Sequence, residues 1–172
     1  MESISVHNGE HPKPENSIRF VWISDTHNAT NNFEVPNGDV LLHAGDFTKK
    51  GTPQQVAHFN KFLQSLPHEH KVVIAGNHDL LFDLENWDRL RERFMLPKTI
   101  DAVSSKNSLE NWIYLEESGC EIYGYKIWGS PWTPTFWNWA FNAERGEAMA
   151  YYMNKIPEGT EILITHGPPF DI

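Results

Sequence analysis

The sequence holds a single cysteine, Cys120, so no disulfide can form within the chain and its cysteine usage gives no sign of an oxidising compartment. Cys120 is read as a small buried hydrophobe. No apolar run approaches the ~20 residues that a membrane-spanning helix needs, and residues 1–16 lack the apolar stretch of a signal peptide. The expected location is therefore cytoplasmic, with no membrane partner. Positive charge is also scarce: 14 Lys and Arg stand against 23 Asp and Glu, a net charge of -9. That deficit opposes binding to nucleic acid, which draws on clustered Lys and Arg, so no nucleic-acid partner is expected. Bound metal ions would still make one cleft locally positive and open to a small phosphorylated substrate.

What remains is the composition of a folded domain. The 172 residues suit one core, and 40% hydrophobic with 22% charged residues argues against disorder throughout. The mean hydropathy of -0.51 agrees. Residues 1–17, with Gly9, Pro12 and Pro14 and little apolar material, read as a flexible leader, and residues 18–172 as one domain. No internal repeat is evident.

Within the domain, short apolar runs alternate with segments of helical period, as parallel βαβ units do. The runs are 18–24, 39–45, 71–76 and 161–165. Between the second and third, Pro53 opens a stretch in which Val56, Phe59, Phe62, Leu63 and Leu66 recur at spacings of three and four, which predicts an amphipathic helix. Further helices are predicted over 84–94 and 143–154, and antiparallel strands over 112–132, broken at Ser118-Gly119 and at Gly124. The aromatics Trp132, Phe136, Trp137 and Trp139 are read as a packed minor core rather than a base-stacking platform.

Each of the four runs ends in residues suited to a divalent metal: Asp25-Thr26-His27, Asp46, Asn77-His78-Asp79 and His166. Strand carboxyl ends in an open parallel sheet face one crevice, so four distant segments can converge there. A lone Asp after a strand more often caps a helix or makes an Asx-turn; the joint placement after four runs carries the reading. A carboxylate such as Asp46 can bridge two cations, His27 and His166 offer nitrogen, and Asn77 offers oxygen. Two ions ~3.5–4 Å apart would polarise a phosphoryl oxygen and supply hydroxide near neutral pH. Of the other histidines, His7 and His11 fall in the leader, and His58, His68 and His70 are assigned to solvent. His43 is read as a satisfied core histidine.

These residues resemble the signature of the calcineurin-like metallophosphoesterases: D-x-H, G-D, G-N-H-[DE], then a later His before a terminal G-H-x-H. The chain supplies Asp25-Thr26-His27, Gly45-Asp46, Gly76-Asn77-His78-Asp79 and His166. Residues 73–79, 129–133 and 163–169 are most similar to the branch of metallophosphoesterase domain-containing proteins. The resemblance implies an α/β sandwich of two mixed sheets flanked by helices. It places Asp25, His27 and Asp46 around a first metal, and Asp46, Asn77 and His166 around a second. His78, with Asn77, would meet the substrate phosphate and protonate the leaving oxygen, and Asp79 would orient His78. No G-H-x-H follows His166, so the chain reads as truncated at its C-terminus. The expected activity is hydrolysis of phosphodiesters, cyclic nucleotides among them, with Mn²⁺ preferred and Fe or Zn also suited. The alternative is a weakened nucleotide- or phosphate-binding interaction module on the same fold.

Overall fold

The computed structural model describes residues 12–31, 33–107 and 109–168. Most of the expected leader, with His7 and His11, and the last four residues of the expected domain lie outside the described residues. Contacts begin before Ile18: Lys13 Nζ lies 2.8 and 2.6 Å from the two Asp39 carboxylate oxygens, and the Ser17 hydroxyl donates to the Pro14 carbonyl at 2.7 Å.

The apolar runs become β1 (Phe20–Ile23), β2 (Val40–Ala44) and β3 (His70–Ile74), joined at the edge by β4 (Ile113–Tyr114). They form one wholly parallel sheet in the order β1-β2-β3-β4. Side chains of a strand alternate between faces, and both faces of this sheet are covered. Leu41, Val73 and Ala75 pack against helical residues Val56, Phe59, Leu63 and Leu90. Val40, Leu42, Val72 and Ile74 pack against Leu115, Ile122, Ile127 and Ile164 of a second sheet.

Helix α1 (Pro53–Ser65) starts where proline at its first turn and Thr52 as N-cap predict, the Thr52 hydroxyl accepting from the Gln55 amide. Such a cap contributes about 1 kcal/mol. Its buried Val56, Phe59 and Leu63 each add about 1.5–3 kcal/mol by leaving water. A 3-10 turn, Leu80–Phe82, then leads to α2 (Trp87–Arg93) and α3 (Ala102–Asn107).

The second sheet pairs β5 (Ser118–Ile122) with β6 (Tyr125–Ser130) as a hairpin whose two loop residues, Tyr123 and Gly124, both have positive φ. That is the geometry of a two-residue hairpin turn. After a small parallel pair, β7 (Thr133–Pro134) with β8 (Asn142–Ala143), and α4 (Glu147–Met153), the strand β9 (Ile162–Thr165) joins β6 in parallel. The architecture is the expected α/β sandwich with flanking helices, and among the described residues only the second large sheet is mixed.

Several local expectations are corrected. The fourth apolar run, β9, lies in the second sheet, not beside the first three. Ser118-Gly119 opens strand β5 instead of breaking one, and Ile113–Tyr114 pairs in parallel with β3. The helix expected over 84–94 begins at Trp87, because the Asp83 carboxylate turns back onto the Asn86 amide and side chain. The helix expected over 143–154 begins at Glu147, after Gly146 at φ 94°. Helix α3 lacked a readable apolar stripe, only Ala102 of its residues being buried. Cys120, read as a buried hydrophobe, is only partly buried, against the inter-sheet core. His68 does not meet solvent: it is 2% exposed, and its Nε2–H donates to the Pro36 carbonyl at 3.1 Å.

His43, wholly buried in β2, is a satisfied core histidine. The Gly45 amide donates to its Nδ1 at 3.2 Å, which leaves Nε2–H to donate to the Thr26 hydroxyl at 3.0 Å. Burial, and then the neighbouring His166 and His27, push its pKa down to about 3. The unfolded value is about 6.5, so the unfolded chain takes up this proton first. The stabilisation is complete above about pH 6.5 and is lost as pH falls toward about 3, by up to about 1.4 kcal/mol per pH unit. Urea midpoints at pH 7.5 and 5.0 should therefore differ more in the wild type than in His43→Gln; equal differences would refute this assignment.

Candidate metal centre

Backbone pairing continues beyond the ends of β1 and β2. The Asp25 amide donates to the Gly45 carbonyl, the His27 amide to Asp46 and the Asn28 amide to Phe47, each at 3.0 Å. This zips the two loops together and brings Asp25 and His27 beside Asp46. Asp25, His27, Asn28 and Asp46 all have φ between 44° and 59°, a left-handed conformation that Asp, Asn and His tolerate better than most residues. The loop after β3 is drawn in by its own contact: the His78 amide donates to Asp46 Oδ1 at 2.8 Å. His166 arrives from β9 in the other sheet, with Nδ1 2.9 Å from the Ala44 carbonyl at the end of β2.

The side chains form two triads that share Asp46: His27, Asp46 and His78, and Asp25, Asp46 and His166, with ligand atoms within 4.8 Å of one another in each. Asp46 is 4% exposed. Its Oδ2 lies 3.7 Å from His27 Nε2 and its Oδ1 lies 3.4 Å from His166 Nε2. Asn77 joins through Oδ1, 3.0 Å from His166 Nε2. All seven residues singled out in the sequence thus lie in the three strand-end loops or at the end of β9, and six of them direct a side chain into one cluster. The triads divide differently from the expected sets, placing Asp25 with His166 and His27 with His78. Beside Asp25, an open pocket of about 290 Å³ is lined by Ile23, Ser24, Thr26, Ala29 and Phe33.

Backbone carbonyls set the protonation pattern. His27 Nδ1 lies 3.1 Å from the Thr48 carbonyl, His78 Nδ1 2.9 Å from the Lys49 carbonyl and His166 Nδ1 2.9 Å from the Ala44 carbonyl. A carbonyl only accepts, so each Nδ1 carries a hydrogen and each Nε2 is left for the cluster. In neutral His166 the Nε2 lone pair then faces Asn77 Oδ1 and Asp46 Oδ1, three acceptors with no hydrogen among them. A cation held among them relieves this. The donor set, two carboxylates, an amide oxygen and imidazole nitrogens whose other nitrogen is anchored, fits a divalent metal of mixed N/O preference.

Asp79 holds the loops: among the described residues its carboxylate accepts from Phe47, Thr48 and Gly76 while the His78 Nδ1 pairs with the Lys49 carbonyl, where the expectation had Asp79 orienting His78. Asp79 is fully buried and accepts from the Thr48 amide at 2.8 Å, the Thr48 hydroxyl at 2.6 Å and the Gly76 amide at 2.8 Å. Burial, with the charge of Asp46 second, pushes its pKa up to about 8. With a fourth hydrogen bond, accepted from the Phe47 amide at 3.3 Å, Asp79 staples the loop after β2 to the loop after β3. The glycines are required by space. A Cβ on Gly45, already at φ +96°, would lie 2.7 Å from His166 Nδ1, and one on Gly76 would overlap Asp46.

Sequence reasoning missed Thr48, Lys49 and Trp139. Thr48 and Lys49 act through main-chain carbonyls, which leave no residue-type signal. The aromatic segment was visible, yet it does not form the expected minor core. Trp132 stacks on Tyr152 at 3.7 Å and Trp139 on His78 at 4.0 Å, while Phe136 and Trp137 are 60% and 70% exposed.

Comparison with known proteins agrees with this geometry. Residues 18–171 match the family model described as calcineurin-like phosphoesterase. Over 165 residues the chain is 48% identical to Metallophosphoesterase domain-containing protein 1 of Homo sapiens and of Mus musculus, covering 92% of this chain and 51% of each relative. It is 41% identical over 171 residues to the Caenorhabditis elegans UPF0046 protein T07D4.2, covering 91% of this chain and 43% of that protein. The chain therefore spans about half the length of the curated relatives it matches. Among the described residues no helix is long and apolar enough to cross a membrane.

Proposed function

We propose a hydrolytic role for this chain, which belongs to the calcineurin-like phosphoesterase family: metal-dependent cleavage of a phosphodiester, with cyclic nucleotides the first substrates to try. The observation that carries the proposal is the position of Asp46, a nearly buried carboxylate shared by two ligand triads, each of its oxygens facing an imidazole Nε2. That arrangement suits two divalent ions, Mn²⁺ first and Fe or Zn as further choices, held by Asp25, His27, Asp46, Asn77 and His166, with His78, the remaining member of the His27 triad, kept for the substrate. Such a pair, when bound, supplies Lewis acidity toward the phosphoryl oxygens and an activated water.

The chain's own residues then do the following. The Lys49 carbonyl fixes His78 with Nδ1 inward to the backbone and Nε2 outward to the cleft. His78 with Nε2 protonated would give that proton to the leaving alkoxide as the oxygen of a water molecule forms the new bond to phosphorus and the ester P–O bond breaks, yielding an alcohol and a phosphomonoester. Thr48 and Ala44 hold His27 and His166 through their Nδ1 hydrogens. Asp79 keeps the two loops at fixed separation. The small phosphorylated substrate enters a cleft whose charge is set by the metals, against the negative charge of the chain as a whole.

Assay of a chromogenic phosphodiester with and without Mn²⁺ addresses the proposal directly. Turnover should require the metal and vanish with EDTA, and His78→Ala should lower kcat by about 10²–10⁴-fold while Mn²⁺ binding persists. Equal background rates in wild type and variant, with nucleotide still bound, would assign the chain to the binding-module class instead.

A further inference from the structure

We propose that Trp139 is a positioning residue for His78, fixing the plane of the imidazole so that Nε2 stays directed into the cleft; this rests on the role given to His78 above. The His78 ring is half-buried and, among the described residues, makes one hydrogen bond, from Nδ1 to the Lys49 carbonyl. One hydrogen bond fixes a direction but leaves the ring free to swing about it. The remaining freedom is removed by stacking: the Trp139 indole lies 4.0 Å from the ring centroid at an interplanar angle of 28°, and His27 meets His78 edge-on at 4.7 Å and 73°. The imidazole is thus bounded by an indole face and by a metal-ligating histidine.

Trp139 is itself held. Phe94 packs against it at 4.4 Å, and Arg93 and Lys50 lie 5.8 and 6.0 Å from the Phe94 centroid. Its loop is pinned at the carbonyls of Asn138 and Trp137 by Arg89 and Arg93, at 3.0 and 2.9 Å. The Ala140 amide donates to the Asn77 carbonyl at 3.2 Å, which ties the loop to the backbone next to His78. The indole packs on His78 and Phe94 and against the helix-side core, so it serves this stack. Removing the indole leaves Asp25, His27, Asp46, Asn77 and His166 in place and frees only the His78 ring.

The decisive comparison is Trp139→Leu beside Trp139→Phe in the full chain, with Mn²⁺ present. Outer partners that orient a reactive group cost roughly 10–100-fold when removed, so Trp139→Leu should lower kcat by about that factor. KM and the Mn²⁺ dissociation constant should stay within about twofold, because neither substrate nor metal contact is lost, and Trp139→Phe should recover most of kcat. NMR gives a readout free of turnover: the indole ring current should hold the His78 ring protons upfield in wild type, and Trp139→Leu should release them. Unchanged kcat, a parallel loss of Mn²⁺ affinity, or unmoved His78 resonances would each overturn the inference. If Trp139→Leu does not fold, Phe94→Leu, which removes only the backing ring, carries the same two measurements. A wild type without turnover defeats the hydrolytic role, and the resonances then decide the position of the ring alone.

Discussion

Asp46→Asn should abolish measurable Mn²⁺-dependent hydrolysis and weaken Mn²⁺ binding by more than the roughly 10–100-fold that loss of an outer-shell partner costs. Asp46 belongs to both ligand triads, so one substitution disables both. Asparagine is the informative replacement. It tolerates the φ of 55° at this position better than alanine does, and its amide oxygen can still accept from the His78 amide. Alanine would in addition leave that amide without its acceptor, at about 1–3 kcal/mol. With asparagine the folding cost is small, and what is lost is the charge and one of two acceptor oxygens. Calorimetric titration with Mn²⁺, together with the chromogenic assay, reads both effects; a variant that binds Mn²⁺ and turns over like wild type would sink the shared-ligand arrangement.

The legible and illegible parts of this molecule divide along physical lines. Residue type and spacing located the strand ends, because an apolar run stopping at Asp25, Asp46 or Asn77 is a local event. Pairing is not local. The run at 161–165 reads like the other three, and only the parallel register of Ile162–Thr165 with β6 shows that His166 reaches the cluster from the opposite sheet. His68 misled for the opposite reason: a polar residue beside a helix is assigned to solvent until a single carbonyl, that of Pro36, makes its burial tolerable. Helix starts were legible where a side chain caps them, as Thr52 does for α1. They were misplaced at α2, where Asn86 makes no cap bond. For α4 the signal was present in Gly146, whose φ of 94° ends the preceding segment. The partners of the ligands, Thr48, Lys49 and Ala44, contribute carbonyls, which every residue has, so no sequence pattern could single them out.

Gly76→Ala should cost both stability and metal binding, although Gly76 ligates nothing. Its φ lies outside the left-handed region, so the requirement is for space alone. A Cβ there would overlap Asp46 Oδ1, lie 2.5 Å from the Asp46 amide nitrogen and 2.7 Å from His166 Cε1. The backbone amide cannot swing away as a flexible side chain would, because Asp46 sits in a loop zipped to β1 and stapled by Asp79. Overpacking of this kind costs about 1–3 kcal/mol, which for a chain of this size lowers Tm by roughly 2–12 °C. The displaced groups are the shared carboxylate and His166, so the site is spread open by the same methyl group. A ligand that binds only the folded state raises Tm in proportion to the logarithm of its concentration over Kd; Mn²⁺ should therefore raise the Tm of wild type and raise that of Gly76→Ala far less. Melting curves with and without Mn²⁺ separate the two effects. A variant that melts with wild type and shows the full Mn²⁺ shift would mean that the three loops do not approach as closely as the triads around Asp46 require.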